Sequence, residues 1–421
     1  MKKWFPALLI SLLVFSCGQE QKAARLADPD NGGITLPEGF SALVVVDGIG
    51  RGRHIVVNGN GDIYVSLVQQ PDNKGIVCLR DTTGNGKADI IEYTGEHTGT
   101  GIKLHNGFLY FGSDTAIVRY PLAEGELVPG SDWQMIARGF PNEHQHEAKP
   151  MAFDGKGNMY VNVGAPSNAC MEQMRTKGSP GMDPCPLLEN SGGTWKFRDD
   201  VLNQDQMVDG VRYVTGIRNG MANFWNTAVD ELYVVQHGRD QLSQFFPEMY
   251  NDKDNAGLPA EEMFLATEGS DFGWPYCYYD QFKEKKVLAP EYGGDGEIQE
   301  RCELKSDPVI AFPGHLAPND LLFYTGDMFP ERYRNGAFIA FHGSWNRAPE
   351  PQMGYFVAFV PFEGKLPSGD WGIFADGFAG TDTIMSTRDA KYRPCGLAQG
   401  PDGALYVVDS IKGKIWKIMY S

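Results

Sequence analysis

Apolar and polar residues alternate along this chain in short runs, each beginning after a turn and carrying an aromatic near its start. Successive side chains of a strand point to opposite faces, so this alternation is what a strand with one buried face requires. Six runs repeat it: NGNGDIYVSL (58–67), HNGFLYFGSD (105–114), DGKGNMYVNVG (154–164), TAVDELYVVQHG (227–238), RNGAFIAFHG (334–343) and GPDGALYVVDS (400–410). Their spacing is uneven, which assigns the surplus to inserted loops rather than to further repeats. No stretch sustains a helical period. Short sheets repeated around an axis predict an all-β fold, a six-bladed β-propeller over 36–421. Tandem β-sandwiches are the architectural alternative.

The ends of the chain fit a closed ring. FSALVVVDGI (40–49) has no blade of its own, and KIWKIM (414–419) ends the last hairpin. Pairing them would remove the free edges that an open ring exposes. Three insertions, 167–191, 241–307 and 343–352, interrupt the repeat and are expected to wall a pocket on one face of the propeller.

Composition narrows the function. With 51 Gly and 26 Pro the chain is built for many tight turns, and its net charge of −17 would repel a phosphate polyanion. Nucleic acid is therefore excluded as a partner. Lys2 and Lys3 precede an apolar run too short to span a bilayer, followed by Val14-Phe15-Ser16-Cys17. That pattern predicts a lipoprotein signal peptide over 1–17, lipidation at Cys17 and a polar tether over 18–35. The expected location is the bacterial cell envelope, periplasmic or outer-membrane-anchored, with the membrane reached through the lipid. Export permits disulfides. Cys170 with Cys185 and Cys277 with Cys302 could each close one insertion, leaving Cys78 and Cys395 either free and buried or paired across the chain ends; spacing does not decide the connectivity.

The candidate chemistry sits where the runs begin and end. His144, His146 and Lys149 precede the third run; Arg218 and Asn219 precede the fourth, which ends in His237-Gly238-Arg239-Asp240. His342, Trp345 and Arg347 follow the fifth run, and Arg393 precedes the sixth. Cationic groups converging from separate blades would make a site for a multiply anionic ligand. The chain lacks a Gly-x-Gly-x-x-Gly opening a helix, an HExxH or CxxC signature and a nucleophile elbow. A base, several arginines and the carbonyls of Gly-rich turns suit a bound organic cofactor together with a hard cation. RDTTGNGKAD (80–89) also follows part of a calcium-loop spacing, with Asp81 first and Glu92 twelfth, but flanking helices are lacking and a simple Asp/Gly hairpin turn is the preferred reading.

Longer runs add a resemblance. HGRDQL, DFGWPYCYYD, FPGHLAPNDLLFYTGDMFP, FHGSWNR, GYFVAFVPFEGKLPSG and RPCGLAQGPDGALYVVD together resemble the soluble quinoprotein glucose/sorbosone dehydrogenase family, particularly its sorbosone dehydrogenase-like branch. The likeness runs from about Leu36 to the C-terminus. It implies a six-bladed propeller that oxidises an aldose sugar or related aldehyde with pyrroloquinoline quinone (PQQ) and Ca2+, the electrons passing on to a quinone or cytochrome acceptor. Carried over by position, it implies His146 as the base and Arg218 as the group that stabilises negative charge on the quinone. Lys149, Asn219, His342, Arg347 and Arg393 would bind the cofactor, and the backbone carbonyls of Gly238 and Arg239 would bind the metal. A cofactor-binding lysine of the best-studied branch falls on His342, and a second arginine falls on Cys395; Arg347 or Arg239 are the expected substitutes. Two competing readings stay open: a non-catalytic envelope propeller that binds carbohydrate or protein, and a calcium-dependent lactonase-type propeller, which would need carboxylates at the channel mouth.

Overall fold

The computed structural model describes Met1 and residues 27–68, 72–142 and 144–421. Cys17 and the expected leader lie outside the described residues. The described chain forms six radial sheets. Blade I comprises Gly52–Val57, Ile63–Leu67, Ile76–Arg80 and Ile90–Thr94. Blade II comprises Gly99–His105, Phe108–Ser113, Ile117–Pro121 and Gln134–Arg138, and blade III Met151–Phe153, Asn158–Val163, Gly193–Arg198 and Val211–Thr215. Blades IV and V begin at Gly220–Asn226 and Pro318–Phe323, and blade VI at Pro394–Gln399. Each of the six repeated runs supplies the second strand of one blade. A loop of blade III adds a fifth, parallel strand, Gln204–Asp205, to the edge of blade II.

The ring closes as the pattern of its ends demands. Phe40–Val46 pairs antiparallel with Ile415–Tyr420 and becomes the outer strand of blade VI, Phe40 opposite Tyr420. The first strands of successive blades touch in turn, blade VI against blade I included.

One expectation changes. Alternation predicts half-buried second strands, yet those of blades I and V are buried along their whole length. The cause is radial stacking, which covers both faces of each sheet by its neighbours. Six apolar clusters fill the six gaps: Tyr64 packs with Phe111 between blades I and II, Tyr110 with Val161 between II and III, Tyr160 with Val234 between III and IV, and the ring continues to Val408 and Val65 between VI and I.

The inner strands of five blades carry a register shift near their first residues, as between Gly52 and Ile55 or Gly220 and Ala222. Such bulges re-aim side chains at the end of a strand. All five lie at the same end of the ring, which is where the insertions sit.

The first insertion is closed by the Cys170–Cys185 disulfide and the second by Cys277–Cys302; Cys78 and Cys395 are free and buried. The second insertion folds into the short helices Leu242–Phe245 and Asp252–Gly257 and a hairpin of Cys277–Asp280 with Lys285–Leu288. Two buried ion pairs fasten it to blade IV, Lys286 to Glu262 at 2.9 Å and Arg239 to Glu291. At 80–89 the hairpin-turn reading holds. Both oxygens of Asp81 accept backbone amides, those of Thr83, Gly84 and Gly86, and Glu92 lies opposite Cys78 in a ladder.

Candidate functional site

In every blade the residue just past the second strand stands four positions after a buried aromatic. Counting from Tyr64, Tyr110, Tyr160, Tyr233, Phe338 and Tyr406, these residues are Val68, Asp114, Gly164, His237, His342 and Ser410. Equivalent backbone in six blades places them in one ring around the axis. Val68, Asp114, His237 and His342 line a cavity of about 490 Å³, together with Arg51 and Arg53 of blade I, His146 and Glu147 of blade III, Asn219 of blade IV and Asn319 of blade V. The other two ring positions act through neighbours: Ser410 bonds the His342 ring, and a Cβ on Gly164 would meet the His146 carbonyl at 2.5 Å. Glycine there lets His146 approach. A larger hollow of about 680 Å³ lies at the turns of blades I and II, but its histidine, His105, is already held by Asp199 at 2.8 Å, so size does not select the site.

His146 has a left-handed backbone, φ +55°, and its Nδ1 donates to the Ala165 carbonyl at 2.5 Å. That bond places the proton on Nδ1 and leaves Nε2 with a lone pair. Burial, reinforced by the Arg218 charge, lowers its pKa to about 3, so the ring is neutral at pH 7. His144 is exposed and pairs with Glu147 at 2.9 Å. His237 is also neutral, lowered to about 4 by burial and by Arg218, with Nε2 donating to Asn319 Oδ1 at 2.9 Å and the Pro318 carbonyl at 3.1 Å.

Arg218 is buried behind this wall. It donates to Asp240 at 2.7 Å, to the Gly238 carbonyl at 2.6 Å and to the Asn168 carbonyl at 3.2 Å. Its charge holds the Asp240 carboxyl well below the usual range against the opposing effect of burial. Its backbone is fixed as well, its N–H donating to Gln236, which in turn donates to Glu262 at 2.7 Å. Below the Gly238 amide lies Glu261, 2 % exposed, whose pKa burial raises to about 8.

The structure brings His146, Asn219 and His342 onto one cavity, with Arg393 beside it. Arg393 spans the His342 and Gly343 carbonyls at 3.0 and 2.5 Å and fixes the loop that carries His342. Two expected cofactor residues stand elsewhere. Lys149 lies behind the wall, its Nζ on the Glu147 carbonyl at 2.7 Å and its pKa lowered to about 8 by burial. Arg347 is tied to the carbonyls of Pro351, Ala256 and Gly314 and braces the insertions. Nor does Arg239 replace a missing cation, since Glu291 neutralises it. A cation the motifs missed does face the cavity: Arg53, on the wall, with its Nε buried and unpartnered. Its signal is positional, since it lies at the bulge that opens the inner strand of blade I.

The donor set bears on the two groups the resemblance implies. Arg53 Nε and Asn219 Oδ1 are buried without partners among the described residues, and both belong to residues of the cavity wall. Buried polar atoms are normally satisfied, so Arg53 Nε fits an anionic group and Asn219 Oδ1 a donor, a pair that suits a polar ligand carrying both. Calcium fits less well. As arranged, the Gly238 carbonyl already receives a guanidinium, and no group of three His, Cys, Asp or Glu placed to hold a metal occurs among the described residues.

A family model described as TrAA12-like matches residues 34–421. The pyrroloquinoline quinone-dependent pyranose dehydrogenase of Coprinopsis cinerea is 25% identical over 278 residues, which cover 57% of this chain and 36% of that protein. The chain thus spans only part of that relative. The solved holo PQQ domain of the same pyranose dehydrogenase superposes with a TM-score of 0.73 at 16% identity, covering 92% of this chain and 97% of that one. A calcium structure of a family AA12 carbohydrate-active enzyme from Trichoderma reesei gives a TM-score of 0.73 at 15% identity, with coverage of 92% and 97%. At such identities the superpositions speak for the fold, and the family match, extending over nearly all of the propeller, speaks for descent: this chain belongs to the TrAA12-like family.

Proposed function

We propose that the chain is a quinoprotein sugar dehydrogenase, oxidising an aldose or related aldehyde with pyrroloquinoline quinone seated in the blade-ring cavity. The observation that carries this is one juxtaposition. A neutral, oriented imidazole, His146, shares a wall with polar atoms left unpartnered on Arg53 and Asn219. The relatives named PQQ-dependent pyranose dehydrogenase support the same class of cofactor and substrate.

In this reading Arg53, Arg393 and His342 hold the carboxylates of the cofactor, and Asn219 its remaining polar edge. The quinone when bound supplies the two-electron oxidising power. His146 Nε2 takes the proton of the reacting hydroxyl, and the Nδ1–H bond to Ala165 aims and primes that nitrogen. Arg218 adds fixed positive potential behind Asn219, moderated by Asp240. The insertions, expected as walls, pack among themselves, Trp274 against the Cys170–Cys185 disulfide among them, and the cavity is lined by residues of the blades. No step is routed through calcium. Ligation by Gly238 would need Arg218 to leave its carbonyl.

The physiological acceptor is proposed to be a quinone or cytochrome, and the protein an envelope lipoprotein anchored through Cys17. Reconstituting the protein with PQQ, with and without calcium, and assaying aldoses with an artificial acceptor tests the reading. Sugar-dependent dye reduction with a perturbed quinone absorption is expected. A quinone spectrum unchanged by the protein, with no turnover, overturns it.

A further inference from the structure

One ionisable group on the cavity wall has no task in that scheme. Asp114 ends the second strand of blade II and is the single acidic member of the ring that also contains His237 and His342. Its carboxylate has no hydrogen-bond or ion-pair partner among the described residues. The neighbouring groups are engaged otherwise, Glu147 on His144 at 2.9 Å and Lys149 Nζ on the Glu147 carbonyl at 2.7 Å. Burial and the Glu147 charge both push the Asp114 carboxyl upward, as expected of an acid that lacks a donor.

The wall carries both signs, Arg53 on blade I and Arg393 beside His342 against Asp114 on blade II and Glu147 on blade III. A polycarboxylate is attracted to the arginines and repelled by the carboxylates, so Asp114 is left to a second ligand that shares the cavity with the base. An open carboxylate on the same cavity as the base calls for a ligand that brings donors to it.

On the dehydrogenase reading above, we propose that Asp114 is the specificity-determining residue for the sugar: it accepts the hydroxyl group next to the reacting carbon, tolerates an ammonium there, and discriminates against sugars that lack a donor at that carbon. Hydroxyl and ammonium donors to a carboxylate form charge-assisted bonds, and a sugar without one leaves the carboxylate unpaired in a partly desolvated site.

The test uses the PQQ-loaded protein, wild type and Asp114→Asn, with glucose, glucosamine and 2-deoxyglucose as substrates. Quinone affinity is followed separately by quenching of tryptophan fluorescence. Wild type is expected to prefer glucose over 2-deoxyglucose in kcat/KM by about 10- to 100-fold, the scale of one charge-assisted hydrogen bond. In Asp114→Asn the glucose KM should rise about 10-fold with kcat within about twofold, and the preference should fall at least about 10-fold. Quinone affinity should stay unchanged. Unaltered KM and preference in an active variant overturn the inference alone, as does a variant whose defect is weaker quinone binding. A wild type that binds quinone but oxidises no sugar overturns the dehydrogenase reading and this inference with it.

Discussion

Asp240 holds Arg218 at 2.7 Å while also receiving Asn346 at 2.6 Å and Arg175 at 3.2 Å. Arg175 belongs to the first insertion and Asn346 to the third, and Asp240 itself directly precedes the second. One carboxylate thus joins all three loops to the guanidinium behind the cavity. Its backbone is fixed as well, exchanging two hydrogen bonds with the Asn168 side chain at 2.8 and 2.9 Å.

Replacing Asp240 by Asn keeps the shape and removes the charge. Arg218 then has no counter-ion, and kcat is expected to fall about 10- to 100-fold, with sugar KM nearly unchanged, because Asp240 positions the site and does not bond the substrate. Steady-state kinetics on the quinone-loaded variant checks this. A KM effect without a kcat effect would contradict it.

His146→Gln removes the base while leaving Arg53, Asn219 and Arg393 in place. Turnover should drop about 100- to 10,000-fold, the usual scale for general-base catalysis, and quinone binding should persist. Absorption titration beside the activity assay separates the two. Equal loss of both would make His146 a cofactor-binding group instead.

Arg53→Ala should weaken quinone binding about 10- to 100-fold, the scale of one or two charge-assisted hydrogen bonds. Arg347→Ala should leave quinone affinity near wild type and lower Tm, since that guanidinium bonds only backbone carbonyls of the insertions and their flanks. Fluorescence titration and thermal melts of both variants distinguish the roles.

Stability should peak near about pH 6.5. His146 and His237 have folded pKa values of about 3 and 4, below the unfolded value near 6.5, so below pH 6.5 the unfolded chain takes up protons that the folded one refuses, and stability falls with pH. His54, His315 and His342 shift in the same direction. Glu261 shifts the other way: with a folded pKa of about 8 it favours the fold while protonated, an advantage that fades as pH rises toward 8. Between about pH 4.5 and 6.5 the histidines outnumber it, and above that window Glu261 acts alone among these groups. Melts from pH 4.5 to 8.5 should show both limbs, and Glu261→Gln should flatten the alkaline one.

Calcium alone, at millimolar concentration, should not raise the Tm of the quinone-free protein, because Arg218 already occupies the Gly238 carbonyl. A clear stabilisation by the ion without quinone would show that this carbonyl is open after all.

The blades were legible because radial stacking imposes one demand six times: an aromatic at the start of each second strand must fill the gap to the next blade, as Tyr64 and Tyr233 do. The closing strand was legible because an open ring leaves an edge to remove, whereas the disulfide pairing, which spacing left open, is settled by the fold. At the site, His146, Asn219 and His342 were reached through their offset from those strands. Arg53 and Asp114 were not, since nothing around either is a motif; only the count of four from Tyr110 marks Asp114. Lys149 and Arg347 were misplaced because proximity in sequence says nothing about which side of a strand end a long side chain takes. The rotation of one Nζ to the Glu147 carbonyl decides it for Lys149.

The pairing of Phe40–Val46 with Ile415–Tyr420 has a consequence for the birth of the protein. The outer strand of blade VI precedes every other strand of the ring along the chain, and its partner follows all of them. Until that partner emerges, the early strand keeps an unsatisfied edge, and the gap between blades VI and I stays open to solvent. Vectorial emergence therefore cannot deliver a finished ring early: blades II to V can assemble as they appear, but the final cooperative step waits for Ile415–Tyr420. Truncation by even the last strand removes the clasp of the whole circle rather than one edge of it.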